Sequence, residues 1–239
     1  MQNIQNKTAF ITGGTKGIGY AVAEALLKEG MNVAITSRSK ASADEVAAEL
    51  NKMGKGKAIG LEADVRNYES QQKAITTAIE TFGRIDFLFA NAGLGHFASI
   101  EDMTPEQWNE VIDTNLTGVF YSIKASLDAL KKSQGFIITL SSLAGTNFFP
   151  NGSAYNASKF GLTGFTQSVM LDLRQHGIRV STIMPGSVAT HFNNHTPTED
   201  DAWKIQPEDI GEMVVHLLKL NSRTLPSKIE IRPSMPPKK

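Results

Sequence analysis

Short apolar runs alternate along the chain with longer segments whose apolar residues recur every three or four positions. The runs at 9–12, 32–36, 57–62, 87–90, 136–140, 179–184 and 229–231 are too short for helices and predict strands. Helices are predicted between them. In 20–29, Ala21, Val22, Ala25 and Leu26 share one helical face and Gly30 closes the segment. Residues 41–53 end at Gly54, and 69–82 form the next helix. Pro105, after Thr104, opens a helix running to about residue 132 with a break. Residues 153–176, closed by Gly177, and 207–220 complete the set. Continuous apolar strands alternating with helices imply an α/β, three-layer architecture: a parallel sheet of about seven strands covered on both faces. Right-handed crossovers make such a sheet doubly wound, with ligands at the carboxyl ends of its strands. No repeat, charge block or linker divides the chain. Residues 1–239 are therefore expected to form a single domain, with 232–239 fraying.

Composition mainly excludes. The 239 residues are 41% hydrophobic, enough for a full core without a staple. Twenty-four basic against 24 acidic residues remove the bulk electrostatic case for nucleic acid or an anionic membrane as partner. The absence of cysteine excludes disulfides, a thiolate nucleophile and Cys-ligated metal. His96, His191 and His195 lack metal-ligand regularity, so no metal is expected. Residues 1–7 lack a signal pattern and no apolar run is long enough to span a bilayer, which favours a cytoplasmic location.

Candidate chemistry begins after the first strand, at Thr12-Gly13-Gly14-Thr15-Lys16-Gly17-Ile18-Gly19. Its glycines do not fit GxGxxG spacing, but they fit the mechanics of a Rossmann dinucleotide fold. One makes the sharp turn, one lets the backbone approach a pyrophosphate, and one lets the helix pack on its strand. The helix N-terminus then offers free N–H groups to the phosphates. Glycines alone would equally suit a plain strand-to-helix turn. Their place after the first strand of a doubly wound sheet favours the phosphate.

The turn resembles the TGxxxGxG element of the short-chain dehydrogenase/reductase family, and further motifs follow at the expected strand ends. Asp64-Val65 matches the family's adenine-contact position, and Asn91-Ala92-Gly93 its NAG element. Asn115 matches its catalytic asparagine. Ser142 stands thirteen residues before Tyr155, and Tyr155 through Lys159 is its YxxxK. Pro185-Gly186, with Val188 and Thr190 beyond, falls where the family meets the nicotinamide side of the cofactor. The resemblance covers residues 7–231 and implies an NAD(P)-dependent oxidoreductase.

Residue chemistry agrees with that implication. Tyr155 and Lys159 are four apart and share a helical face. Bringing a phenol from near 10 toward neutrality takes about 3–4 kcal/mol of preference for phenolate. A nearby ammonium in a partly desolvated cleft can supply much of it. Tyr155 would then exchange a proton with a carbonyl or alcohol oxygen that Ser142 also hydrogen-bonds. The family resemblance implies that Lys159 also holds the nicotinamide ribose and that Asn115 fixes a water linking Lys159 to solvent.

NAD-preferring folds tend to carry an acid at the end of the second strand. Here Ser37 and Arg38 stand there and Lys16 lies in the phosphate turn, which favours the 2′-phosphate of NADP. Three loops, 94–98, 143–154 and 187–206, should line the substrate pocket, the last as a mobile lid. They carry His96, Phe97, Phe148, Phe149, Phe192 and Trp203. His96, Phe148, Phe149 and Phe192 are the candidate substrate contacts, suited to a carbonyl with a hydrophobic or flat body. The expected activity is ketone reduction. The alternatives are reduction of 3-oxoacyl chains on acyl carrier protein and, more remotely, a non-catalytic cofactor sensor or a sugar-nucleotide epimerase. The ending 222–233 is more similar to sepiapterin-reductase-type members and puts the carrier-protein substrate in question. Family resemblance further implies a homodimer or homotetramer, the helices from Pro105 and Ser153 pairing between subunits.

Overall fold

Seven strands pair in parallel in the order β3-β2-β1-β4-β5-β6-β7 in this computed structural model, which describes residues 2–235. They are β1 (Thr8–Ile11), β2 (Asn32–Ser37), β3 (Ala58–Glu62), β4 (Phe87–Ala90), β5 (Phe136–Leu140), β6 (Arg179–Pro185) and β7 (Lys228–Ile231). Alternation along each strand splits the core in two. Phe87 and Phe89 of β4 join Ile11, Ile35 and Ile138 under α1 (Gly17–Lys28), α2 (Lys40–Leu50) and α7 (Pro207–Lys219). Leu88 and Ala90 join Phe10, Ala34 and Ile137 on the other face, against α3 (Tyr68–Phe82), α5 (Gly118–Ser133) and α6 (Ser153–Leu173). The expected α/β doubly wound sheet is the observed one.

Boundaries differ where local chemistry overrides pattern. The break in the long helix is a π-turn, Asp113–Thr117, between α4 (Pro105–Ile112) and α5. Helix α1 starts at Gly17 rather than residue 20, so its first turn takes in the last two glycines of the segment. The segment predicted as 41–53 ends at Leu50. There the Asn51 side chain donates to the Ala58 carbonyl at 2.9 Å and accepts from its N–H at 2.8 Å, steering the chain into β3. Of the tail expected to fray, 236–239 lie outside the described residues.

Strand order reverses between β1 and β4, and their carboxyl ends bound a crevice there. Thr12 holds it together. Its hydroxyl accepts from the N–H groups of Asn91 (3.0 Å) and Ala92 (3.1 Å). In return, the Asn91 amide donates to the Thr12 and Gly13 carbonyls, each at 2.9 Å.

Candidate active site

The glycine turn is built to admit a group from outside. A Cβ on Gly19 would lie 2.4 Å from the Gly13 carbonyl oxygen, so only glycine lets α1 start this close to the turn. Gly17 adopts φ +55 and sits under Thr190, whose methyl would be 3.4 Å from a Cβ there. No side chain caps the N-terminus of α1 and no acid occupies its first turn, which leaves its N–H groups for an anion. These features fit a dinucleotide pyrophosphate.

Four polar side chains converge beyond β4 and β5. The π-turn carries Asn115 into the protein, fully buried. Its oxygen accepts from Leu94 N–H at 2.9 Å, and its amide donates to the Leu94 carbonyl (2.8 Å) and the Ser158 hydroxyl (3.1 Å). Asn115 thus pins the loop after β4 to α6. Lys159, buried on α6, donates to the Leu140 carbonyl at 2.9 Å, with its Nζ 5.6 Å from the centre of the Tyr155 ring. Ser142 follows β5, where its hydroxyl accepts from Ala144 N–H at 3.1 Å.

Electrostatics here depart from the sequence expectation in one respect. Burial pushes the Tyr155 phenol above its ordinary value, and the adjacent Ser142 hydroxyl pulls it back only in part. Burial also brings the Lys159 ammonium down to about 8. In the ligand-free protein Tyr155 is therefore a protonated phenol at neutral pH, able to donate.

Around Tyr155 stands a cluster of rings. Phe97 lies 5.4 Å from it and Phe192 5.7 Å, between centroids, and these two are 6.4 Å apart. Phe149 packs on Phe97 at 6.0 Å. Of the four expected substrate contacts, Phe149 and Phe192 join this cluster, and Phe148, 86% exposed, does not. His96 instead pairs through Nε2 with Glu110 at 2.8 Å. The central ring, Phe97, was left out of the expected contacts, although its place immediately after His96 in the loop after β4 was the available signal. Asn156 was also missed. It donates to the carbonyls of Ala144 and Asn147, each at 2.8 Å, and anchors the β5 loop to α6.

At the end of β2, Arg38 is exposed and makes no ion pair among the described residues, and Lys16 is exposed in the turn. Ser37 Oγ accepts from Ser39 N–H at 3.3 Å. Asp64 is engaged by Arg66, whose guanidinium donates to it at 2.7 Å and also reaches Glu110 at 3.4 Å. That hydrogen bond holds the Asp64 carboxyl below its ordinary value. Arg66 is a further residue that the motif reading missed. Val65 is buried beneath Gly118. Pro185 ends β6, and Gly186 N–H donates to the Ile231 carbonyl at 2.8 Å. The segment 187–206 is closed at its base by the Val188–Ile205 bridge. Asp201, paired with His195 and Lys204, ties it internally.

A phosphate-admitting turn at the switch point of a doubly wound sheet, with Ser142 just after β5 and Tyr155 and Lys159 on α6 facing it, has the groups that a nicotinamide-dependent oxidoreductase needs. The family profile described as short chain dehydrogenase matches residues 7–201. The chain belongs to that family and is an NAD(P)-dependent oxidoreductase. A trans-4-hydroxycyclohexanecarboxylate dehydrogenase of Sinomonas cyclohexanicum is 38% identical over 192 residues, 78% of this chain and 74% of that protein. A 3-oxoacyl-[acyl-carrier-protein] reductase of Synechocystis is 38% identical over 83% of this chain and 81% of its own length. Among solved structures, an alcohol dehydrogenase from the archaeon Thermococcus sibiricus, complexed with 5-hydroxy-NADP, superimposes with a TM-score of 0.91 at 30% identity, covering 98% of this chain and 99% of that one. No helix of the described residues is long and apolar enough to cross a membrane.

Proposed function

We propose that this protein reduces the carbonyl group of a small ketone with NADPH. The observation that carries the reading is geometric: Lys159 Nζ lies 5.6 Å from the centre of the Tyr155 ring on α6, with Ser142 adjacent just after β5. A nicotinamide supplies hydride when bound. Tyr155 Oη donates its proton to the carbonyl oxygen, and Ser142 Oγ hydrogen-bonds that oxygen as negative charge builds on it. The phenolate left on Tyr155 is stabilised by the Lys159 ammonium and regains its proton from solvent, and Lys159 would also hydrogen-bond the ribose of a bound nicotinamide. Asn115 keeps the loop after β4 and α6 in register, so that Asn91, Ala92 and Gly93 stay beside the cofactor. The turn residues Gly13, Thr15, Lys16, Gly17, Ile18 and Gly19 cradle the pyrophosphate, Asp64 and Val65 the adenine, and Pro185, Gly186, Val188 and Thr190 the nicotinamide. Arg38, Ser37 and Lys16 supply donors for the 2′-phosphate, with no carboxylate at the end of β2 to repel it. The exposed rings Trp108 on α4, Phe120 on α5 and Phe160 on α6 support a homo-oligomer built on those helices.

Tyr155→Phe tests the assignment. The variant should fold and bind NADPH while turnover falls on the order of 100-fold or more. Wild-type turnover in the variant would refute it.

A further inference from the structure

Reading the site as a ketone reductase leaves its substrate class open, and the rings over Tyr155 narrow it. Three facts make the cluster more than incidental packing. Phe97, Phe149 and Phe192 come from three separate loops, yet Phe97 contacts all the others and Tyr155 itself. They are not core residues, since Phe97 and Phe192 are each 38% exposed and Phe149 is 42% exposed. Gly95 leaves the room they need: a Cβ there would lie 2.8 Å from the Phe97 ring and 3.0 Å from Phe192 Cζ. Apolar ring surface held at a crevice mouth, beside a proton donor, loses contact with water only when something apolar covers it.

On that reading of the site, we infer that the substrate is a cyclic or aryl ketone whose ring packs against Phe97 and Phe192 while its carbonyl oxygen reaches Tyr155. The cluster presents tilted faces and edges, with interplanar angles of 57° between Phe97 and Tyr155 and 71° between Phe97 and Phe192. A flat or chair-shaped ring can cover the exposed outer surface of these touching rings through offset and edge contacts. A straight acyl chain offers a narrower surface and must give up more rotamer freedom to fill the same space. Asn156 fixes the β5 loop that carries Phe149, and the Val188–Ile205 bridge fixes the base of the segment that carries Phe192.

The test is steady-state reduction of matched ketones by the purified full chain with NADPH. Acetophenone and 2-octanone have equal carbon number, and cyclohexanone and 2-hexanone form a second pair. Wild-type kcat/KM should favour the ring ketone of each pair by about tenfold. Phe97→Leu should shrink that ratio severalfold, mainly through KM. Gly95→Ala, which removes no ring but spreads the pair, should shrink it too. A straight-chain preference, or a ratio that neither variant changes, overturns the inference and leaves the reductase reading standing. No turnover of any ketone takes down both.

Discussion

Replacing Lys159 by Met should stabilise the ligand-free protein while abolishing turnover. Burial lowers the Lys159 ammonium from 10.5 to about 8. At about 1.36 kcal/mol per pH unit, holding it charged in the folded state near neutrality costs about 3 kcal/mol. Methionine keeps the length and removes the charge, but it leaves the Leu140 carbonyl without its 2.9 Å donor, which costs about 1 kcal/mol. The expected net gain at pH 7 is about 2 kcal/mol. Its pH dependence is distinctive. The folded state releases the Lys159 proton near 8 and the unfolded chain near 10.5, so between these values the unfolded state holds more protons. Wild-type stability then rises with pH relative to the variant. The advantage of Lys159→Met should fade and be near zero by about pH 9.5. Urea denaturation of both proteins from pH 7 to 9.5, without cofactor, measures the difference. A destabilised variant at pH 7, or a difference that stays flat with pH, would refute the argument that Lys159 is a buried charge without a partner.

Three further outcomes are expected. Because burial keeps Tyr155 protonated, ketone reduction should fall and alcohol oxidation should climb as pH rises through the alkaline range; parallel profiles in the two directions would exclude Tyr155 as the proton carrier. Titration should show NADPH binding at least about tenfold tighter than NADH, with the gap narrowing at high salt and reversing in Arg38→Asp; equal wild-type affinities would mean that Arg38 points to solvent. Protease cleavage within 187–206 should slow when NADPH and substrate are added, because Thr190 lies over the phosphate turn; unchanged rates would show that the segment does not respond to ligand.

The fold was legible because its signal is local. Continuous apolar runs such as Phe87–Ala90, cut off by capped helices, can be satisfied only inside a covered parallel sheet. The side-chain caps of Ser39, Asn67 and Thr104 all stand where the pattern changes. Tyr155 and Lys159 were legible for the same reason, since four residues on one helix fix their common face. Asn115 was legible by motif, but its contacts were not. Its partners Leu94 and Ser158 are 21 and 43 residues away, and the π-turn that turns it inward leaves no mark in hydrophobic period. Spacing gives the proximity of Lys159 to Tyr155 but not the burial that raises the phenol and lowers the ammonium. Arg66 and Asn156 were missed, and Phe97 was placed in a pocket loop but not among the four contacts, because their roles depend on which loops meet in space.

That division tracks the division of labour in the site. The groups assigned to proton transfer and its support sit on or beside regular elements: Tyr155 and Lys159 on α6, Ser142 just after β5, and the positioning residue Asn115 in the π-turn between two helices. Their geometry follows from helix and strand spacing, which sequence encodes directly, and their precision is what the chemistry needs. The rings are carried by three loops, whose relative placement depends on long-range contacts such as Asn156 to Ala144 and Val188 to Ile205. Loops tolerate substitution without unfolding the sheet beneath them. A change at Phe97 or Phe192 can therefore alter which carbonyl is accepted while the proton-transfer groups keep their positions. Such a separation is in keeping with relatives of this chain being named for substrates as different as a hydroxycyclohexane carboxylate and a carrier-bound oxoacyl chain.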